Sequence, residues 1–435
     1  MMSGRPEAVD AAFAFLVAAA AAWLLVPLAE RLARRVGALD YPNERSIHTV
    51  PTPKLSGLAI LIAVLVAGYL FLPWVPLTRA VLGGAIVIAV VGAIDDLFDL
   101  PAALKLLGQT VAAMIPVFNG VQVANFTLPF VGRVELNSVE LFDLPLLGEV
   151  HLGQVLTVIG IVAVINVVNL IDGVDGLAAG VCVISAATLA IVALSLERTS
   201  AGVLAALAAG SALGFLRHGF PPASSFMGDT GSNLLGYLLG AVAIQGALKT
   251  NAVIALFFPL VILAVPILDT GFVIAKRIKY RRPIYHADAW HFHHRMANIG
   301  FSQRRTLAYL YGWTIVLALL ALALRFVPYS DDHGNFDPAW MAVMVACLIV
   351  ALAASVYLVI TLEILKLRTT RFRQLFGARG LPPETAEVDA GVARELETGT
   401  FSALDPETGE WSAVDPETGE FDAVEPAEDP PGRSP

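Results

Sequence analysis

Charge is scarce in this sequence. Only 15% of its 435 residues are Asp, Glu, Lys or Arg while 57% are hydrophobic, against about 25% charged in an average soluble domain. Too few charges are present to solvate a globule of this size, which excludes an ordinary soluble fold. Cysteine is nearly absent. Its two occurrences, Cys182 and Cys347, both lie inside apolar runs, which excludes a disulfide framework and a thiolate zinc site. Basic residues are missing from particular places: 328–340 has no Lys or Arg, and 120–152 has only Arg133. The first apolar run, 11–28, is too long and too poorly flanked for a cleavable signal peptide and reads as a membrane helix.

What fills the chain instead is a succession of apolar runs of roughly 20 residues, each long enough to cross a bilayer as a helix. Eleven spans are expected, at 10–30, 57–76, 79–94, 103–119, 153–171, 177–195, 199–216, 231–247, 252–275, 305–327 and 341–365. The expected fold is therefore an all-α polytopic integral membrane protein. Segment 121–151 alternates modestly in polarity and reads as a short external β-hairpin.

Lys and Arg set the orientation. They cluster after span 1 (Arg31, Arg34, Arg35, Arg45, Lys54), after span 9 (from Lys276 to Arg305) and after span 11 (Lys366, Arg368, Arg371, Arg373). The positive-inside rule then puts the N-terminus outside and the C-terminus in the cytoplasm. The formal net charge of −9 hides a division: 381–435 carries 15 acidic and 2 basic residues, net −13, leaving +4 for the remainder. Two domains are expected, a transmembrane domain over 1–375 and an acidic tail over 380–435. The tail repeats ten residues as ELETGTFSAL, DPETGEWSAV and DPETGEFDAV. Three such units cannot bury a core, so the tail reads as disordered.

Five polar clusters share the cytoplasmic side of this topology. In 92–109 an apolar run ends in Asp95, Asp96 and Asp99, and a second carries Lys105 and Gln109. Carboxylates so close need water or a divalent cation, or else form a plain solvated turn. In 166–180, Asn166, Asn169 and Asp172 recur at i, i+3 and i+6, one polar stripe ahead of Asp175 and two glycines. Such groups among membrane helices are functional candidates or interhelical glue. In 226–235, Asp229 precedes a helix read as opening at Thr230 to Ser232. It could serve a phosphate or metal site, or simply cap that helix. His291, His293, His294 and Arg295 sit in the basic loop as HFHHR and suit phosphate better than zinc. Finally, Arg45, His48 and Lys54 lie in a loop stiffened by Pro42, Pro51 and Pro53. Carboxylates for Mg²⁺ and cations for phosphate, beside apolar grooves, suit phosphoryl transfer between a nucleotide substrate and a lipid.

These motifs resemble the polyprenyl-phosphate N-acetylhexosamine-1-phosphate transferases, glycosyltransferase family 4, over about residues 10–325. The match runs through D-x-P-x-x-R-x-x-H-x-x-P-x-P at 40–53, DDxxD…K at 95–105, NxxNxxDGxDGL at 166–177 and FMGDxGS at 226–232. The resemblance implies ten or eleven membrane helices and Mg²⁺ as cofactor, with Mn²⁺ as a substitute. It implies transfer of a sugar 1-phosphate from a UDP-sugar to a polyprenyl phosphate in the bacterial plasma membrane, with release of UMP, on the cytoplasmic face. Asp229 would bind Mg²⁺ beside Asn169. Asp95 and Asp96 would orient or deprotonate the lipid phosphate or help bind the metal. Lys105 would contact phosphate and Asp175 would read the uracil. Arg45, His48, Lys54, Asn166 and Asp172 would line the substrate site, and the HFHHR residues would hold the donor's phosphates and sugar. His291-Phe292-His293-His294-Arg295 is similar to the WecA/TagO-like branch, which favours UDP-N-acetylglucosamine. Gly219, where the family often has Asn, departs from the pattern. No nucleic acid is expected as partner, and a homodimer is compatible with the resemblance. The alternatives are the phospho-N-acetylmuramoyl-pentapeptide branch, a membrane aromatic prenyltransferase, and a transporter with broken helices at its midplane.

Overall fold

The computed structural model describes residues 8–41, 50–128, 132–144, 148–247, 267–268, 271, 302–328, 337–361, 401–404 and 411–414. The chain divides into two units, Met1–Ile364 and Leu365–Pro435, a division some ten residues ahead of the expected one.

The described helices of the first unit are α1 (Ala8–Val36), α2 (Gly57–Phe71), α3 (Pro76–Phe98), α4 (Ala102–Val117), α5 (Leu152–Leu170), α6 (Leu177–Ser195), α7 (Thr199–Gly219), α8 (Gly228–Ala247), α9 (Gln303–Phe326) and α10 (Pro338–Thr361). Seven of the described helices are long and apolar enough to cross a membrane: α1, α3, α5, α6, α7, α9 and α10. The protein is a multi-pass membrane protein. Among the expected spans, 57–76 and 103–119 become shorter apolar helices of 15 and 16 residues. Span 231–247 becomes part of α8, which is less apolar than the seven. Span 252–275 lies outside the described residues except for Ile267, Leu268 and Gly271.

α8 is the hub. It packs against α2, α3, α4, α5, α6 and α7, and Leu234, Leu235, Tyr237, Leu238 and Leu239 are fully buried in it. The Tyr237 hydroxyl, drawn into this apolar setting, donates to the Val81 carbonyl at 2.9 Å. Surrounded by protein, α8 tolerates polar residues that a lipid-facing helix does not.

The chain alternates direction, so the C-terminal ends of α3 and α5 meet the N-terminal ends of α4 and α8 at one end of the bundle. The N-terminal arm of that end is tied down by backbone. β1 (Leu39–Asp40) pairs antiparallel with β2 (Thr52–Pro53). Phe226 N–H donates to the Pro53 carbonyl at 2.8 Å, and Gly57 N–H to the Met227 carbonyl at 3.0 Å. At the opposite end, between α4 and α5, two antiparallel hairpins form instead of the expected one: β3 (Asn125–Leu128) with β4 (Gly132–Glu135), and β5 (Glu140–Leu144) with β6 (Gly148–His151). The sequence signal merged them because the intervening turn, Leu136–Ser138, carries no glycine or proline.

In the second unit, β7 (Phe401–Leu404) pairs antiparallel with β8 (Trp411–Val414), with Phe401 opposite Val414 and Leu404 opposite Trp411. The tail was expected without fixed structure. Two of its repeat units instead supply one strand each, joined by the six residues DPETGE.

Candidate active site

α8 begins with Gly228 in the left-handed conformation (φ 64°), open to glycine at little cost. Its first amides have no partner within the helix. Asp229, for which capping was one of two readings, does not cap its own helix. Asp96 of α3 caps it instead: its Oδ1 accepts from Asp229 N–H at 2.9 Å, and its Oδ2 accepts from Thr230 N–H at 3.0 Å and Thr230 Oγ1 at 2.6 Å. Three donors and the positive helix end offset part of the cost of burying this carboxylate, which is only 7% exposed. The approach depends on Gly92, where a Cβ would sit 2.6 Å from the Asp229 carbonyl oxygen and from Thr230 Cα.

With its helix capped by another residue, Asp229 turns its carboxylate outward. Oδ1 accepts from Asn169 Nδ2 at 2.8 Å, and Oδ2 accepts from Lys105 Nζ at 3.2 Å. Lys105 also forms an ion pair with Asp95 Oδ2. The other Asp95 oxygen accepts from Leu100 N–H at 2.7 Å. That bond follows from the end of α3, where Asp99 turns left-handed (φ 47°). Asp99 itself is exposed and leaves the cluster. Asn169 is fixed by a second bond, from Nδ2 to Ser232 Oγ at 3.0 Å.

The expected stripe of Asn166, Asn169 and Asp172 is broken, because α5 ends at Leu170 and Asp172 lies in the following turn. Burial pushes the Asp172 carboxyl well above the usual carboxylate range, and the charges of Asp229, Asp96 and Asp175 add to the rise. Asn166 sits one turn deeper and pairs with Gln109, its Nδ2 donating to Gln109 Oε1 at 2.6 Å. Asp175 Oδ2 accepts from Ala223 N–H at 3.1 Å and so anchors the 220–225 loop. Tyr311 of α9 donates to the Gly176 carbonyl at 2.5 Å. The Lys54 backbone abuts Gly228, where a Cβ would strike the Lys54 carbonyl oxygen.

Of the predicted site residues, Asp95, Lys105, Asn169 and Asp229 converge directly, Asp96 stands behind them, and Asp172 faces their charge. Arg45, His48, His291, His293, His294 and Arg295 lie outside the described residues. Sequence reasoning placed Thr230 and Ser232 at the opening of the helix but gave neither a role in the site. Ser232 follows Asp229 by three residues and could have been placed on its helix face; nothing local marks Thr230.

Two cavities open nearby. One of about 590 Å³ runs between α4 and α5 toward the hairpins. Leu106, Met114, Phe118, Val155 and Ile159 are among its walls, so it starts one residue beyond Lys105 and is almost wholly apolar. The other, about 660 Å³, is lined by Arg217, His218, Phe220 and Pro222 with Arg304 of α9. Arg304 is held by two bonds to the Pro221 carbonyl, at 3.2 and 3.3 Å.

Comparison with known proteins matches residues 78–247 to the model of glycosyl transferase family 4. A probable undecaprenyl-phosphate N-acetylglucosaminyl 1-phosphate transferase of Bacillus subtilis is 34% identical over 72% of this chain and 84% of its own length. A decaprenyl-phosphate N-acetylglucosaminephosphotransferase of Mycobacterium leprae is 34% identical over 72% of this chain and 83% of its own. A phospho-N-acetylmuramoyl-pentapeptide-transferase of Desulforudis audaxviator is a more distant match, 32% identical over 73% of this chain and 98% of its own.

Proposed function

The chain belongs to glycosyl transferase family 4, and on that premise we propose that it transfers N-acetylglucosamine 1-phosphate from UDP-N-acetylglucosamine to a polyprenyl phosphate, releasing UMP. The observation that carries this reading is Lys105, shared between Asp95 and Asp229 and followed directly in α4 by Leu106, a wall of the apolar groove between α4 and α5. A polyprenyl tail fits the groove's chemistry, and its phosphate would then lie beside the Lys105 ammonium. An acceptor phosphate oxygen attacks the phosphorus that bears the sugar. The bond from that phosphorus to the bridging oxygen breaks, and UMP leaves with the electron pair. Such a reaction needs positioning and charge compensation more than covalent catalysis.

The donor set suits Mg²⁺, or Mn²⁺ in its place. Asp95 and Asp229 offer carboxylate oxygens around one shared ammonium, and Asn169 and Ser232 stand beside them. No group of three His, Cys, Asp or Glu among the described residues is arranged to hold a metal alone. Mg²⁺ commonly takes one or two carboxylates and completes its shell with water and substrate phosphates. When bound, it would offset the charge of the donor diphosphate and of departing UMP. Asp229 and Asp95 would hold it, with Asn169 fixing the Asp229 rotamer and Lys105 left to serve phosphate.

The active site faces the cytoplasm in this reading. Arg34 and Arg35 end α1 at the same end of the bundle as Asp229, whereas the hairpin end carries Arg133 alone within 120–152, in keeping with the positive-inside rule. An N-terminus outside, eleven spans and a cytoplasmic C-terminus complete the topology.

Purified protein in detergent with polyprenyl phosphate and Mg²⁺ is expected to release UMP from UDP-N-acetylglucosamine. Consumption of UDP-N-acetylmuramoyl-pentapeptide with UDP-N-acetylglucosamine ignored would overturn the donor assignment.

A further inference from the structure

The neighbours Asp95 and Asp96 are both nearly buried, 3% and 7% exposed, yet their partners differ in kind. Asp95 is held by one backbone amide and by Lys105, a flexible side chain 36% exposed and shared with Asp229. That ammonium can move aside for another cation or follow a phosphate, leaving an Asp95 oxygen open. Asp96 has no such partner. Its three donors are two consecutive backbone amides and one hydroxyl, all on the first turn of α8. The two amides are fixed by the backbone of the helix that carries Asp229 and, unlike the Lys105 ammonium, cannot swing away on a flexible side chain.

We propose that Asp96 is a positioning residue: it fixes the N-terminus of α8, and through it the Asp229 carboxylate, while Asp95 is the member of the pair that meets the substrate or its cation. Three further features support this. The Asp229 amide is itself one of the three donors, so the link from Asp96 to the Asp229 side chain is a single residue long. Gly92 lies one helical turn before Asp96 and brings the two helices to backbone contact, where a Cβ would meet Asp229 and Thr230 at 2.6 Å. Gly228 leaves open the space in which a Cβ would strike the Asp96 carboxylate. Two glycines on two helices thus clear the same approach. The polar walls of the site, Asn169 and Ser232, stand on the Asp229 side.

The inference rests on the proposed reading for its turnover and Mn²⁺ arms; the exchange arm stands apart from it. Three measurements on the purified full chain test it: amide hydrogen exchange across 228–232 by mass spectrometry, Mn²⁺ binding by electron paramagnetic resonance, and turnover with UDP-N-acetylglucosamine. Asp96→Asn turns one acceptor oxygen into a donor, so exchange across 228–232 is expected to rise about tenfold or more. Mn²⁺ binding should persist, and kcat should fall by about 10- to 100-fold. Asp95→Asn should leave that exchange unchanged while lowering kcat by about a thousandfold. Loss of Mn²⁺ binding and turnover in Asp96→Asn with 228–232 still protected would make Asp96 a direct ligand or base and overturn the proposal. Should Asp96→Asn fail to fold, Thr230→Val removes only the hydroxyl donor. It is expected to raise the same exchange with Mn²⁺ binding intact, and unchanged exchange there overturns the proposal too. A wild-type protein silent toward UDP-N-acetylglucosamine would defeat the functional reading, while the exchange arm would still judge Asp96.

Discussion

α8 and α10 are helices of similar length, 20 and 24 residues, placed in opposite surroundings. α10 is almost purely apolar, and only 11% of its best membrane-crossing window is buried in the protein. Ile349, Val350 and Leu352 are each about 60% exposed, toward lipid. α8 carries Asp229, Thr230, Ser232 and Asn233 in its first turns and is enclosed by six other helices. Hydropathy therefore ranks α10, which carries none of the site residues, above α8, which carries Asp229. Lipid demands an apolar surface, whereas only a helix wrapped in protein can hold a carboxylate at its end with every partner supplied.

The sharpest way to break that contrast is at Asp229. Asp229→Asn keeps the shape and one acceptor oxygen but removes the charge that Lys105 and Asn169 serve. Turnover should fall by about a thousandfold or more with the thermal midpoint within a few degrees of wild type. Near-normal turnover at saturating Mg²⁺ would remove α8 from the chemistry. Gly92→Ala comes next. Its Cβ meets backbone, which cannot rotate away, so α3 and α8 must part. A stability loss of about 1–3 kcal/mol is expected, with turnover down about a hundredfold because Asp229 moves with its helix. A variant as stable and active as the parent would show that the two helices need not touch.

A smaller effect separates glue from substrate contact. Asn166 was expected in the substrate site, yet it is paired with Gln109. Asn166→Ala strands the Gln109 amide and should cost about 1–3 kcal/mol. Replacing both by Leu should recover most of that loss, with donor KM little changed. A donor KM raised more than tenfold in the double variant, measured by UMP release, would return Asn166 to substrate binding.

The sequence carried the chemistry further than the geometry. Membrane helices and the carboxylate clusters are legible because each is local: a run of apolar residues, a DD pair. What pairs with what is not local. Asp95 and Asp96 are indistinguishable neighbours in sequence, and only the return of the chain over the 133 positions from Asp96 to Asp229, folded back through Gly92, decides which of them caps α8. Capping was one of two roles open to Asp229, because short carboxylates often cap helices; Asp96 of α3 takes that role instead. The stripe of α5 lost Asp172 because helix ends are the least certain feature of a periodic pattern. The two strands of the tail escaped notice because its acidity masks the alternation in FSAL and WSAV.

The smallest effects should come from α10, and they differ between its two faces. Ser355 accepts from Trp313 Nε1 of α9 at 2.9 Å, and Ala351, one turn before it, is 3% exposed, so this face is the seam with α9. Leu352, the next residue, is 61% exposed. In a membrane Leu352 touches lipid tails both in the bundle and with α10 detached, so trimming it changes little between those states. Leu352→Ala should leave turnover within about twofold and stability within about 0.5 kcal/mol. Ala351→Leu adds volume where two helices already touch and should cost about 1–3 kcal/mol, read as a lower thermal midpoint in lipid nanodiscs. Turnover below that midpoint should hold, because α9 stands between α10 and the rest of the bundle. If Leu352→Ala destabilised the protein as much as Ala351→Leu, the exposed face of α10 would be covered by something other than lipid, and the contrast with α8 would shrink to one of polarity alone.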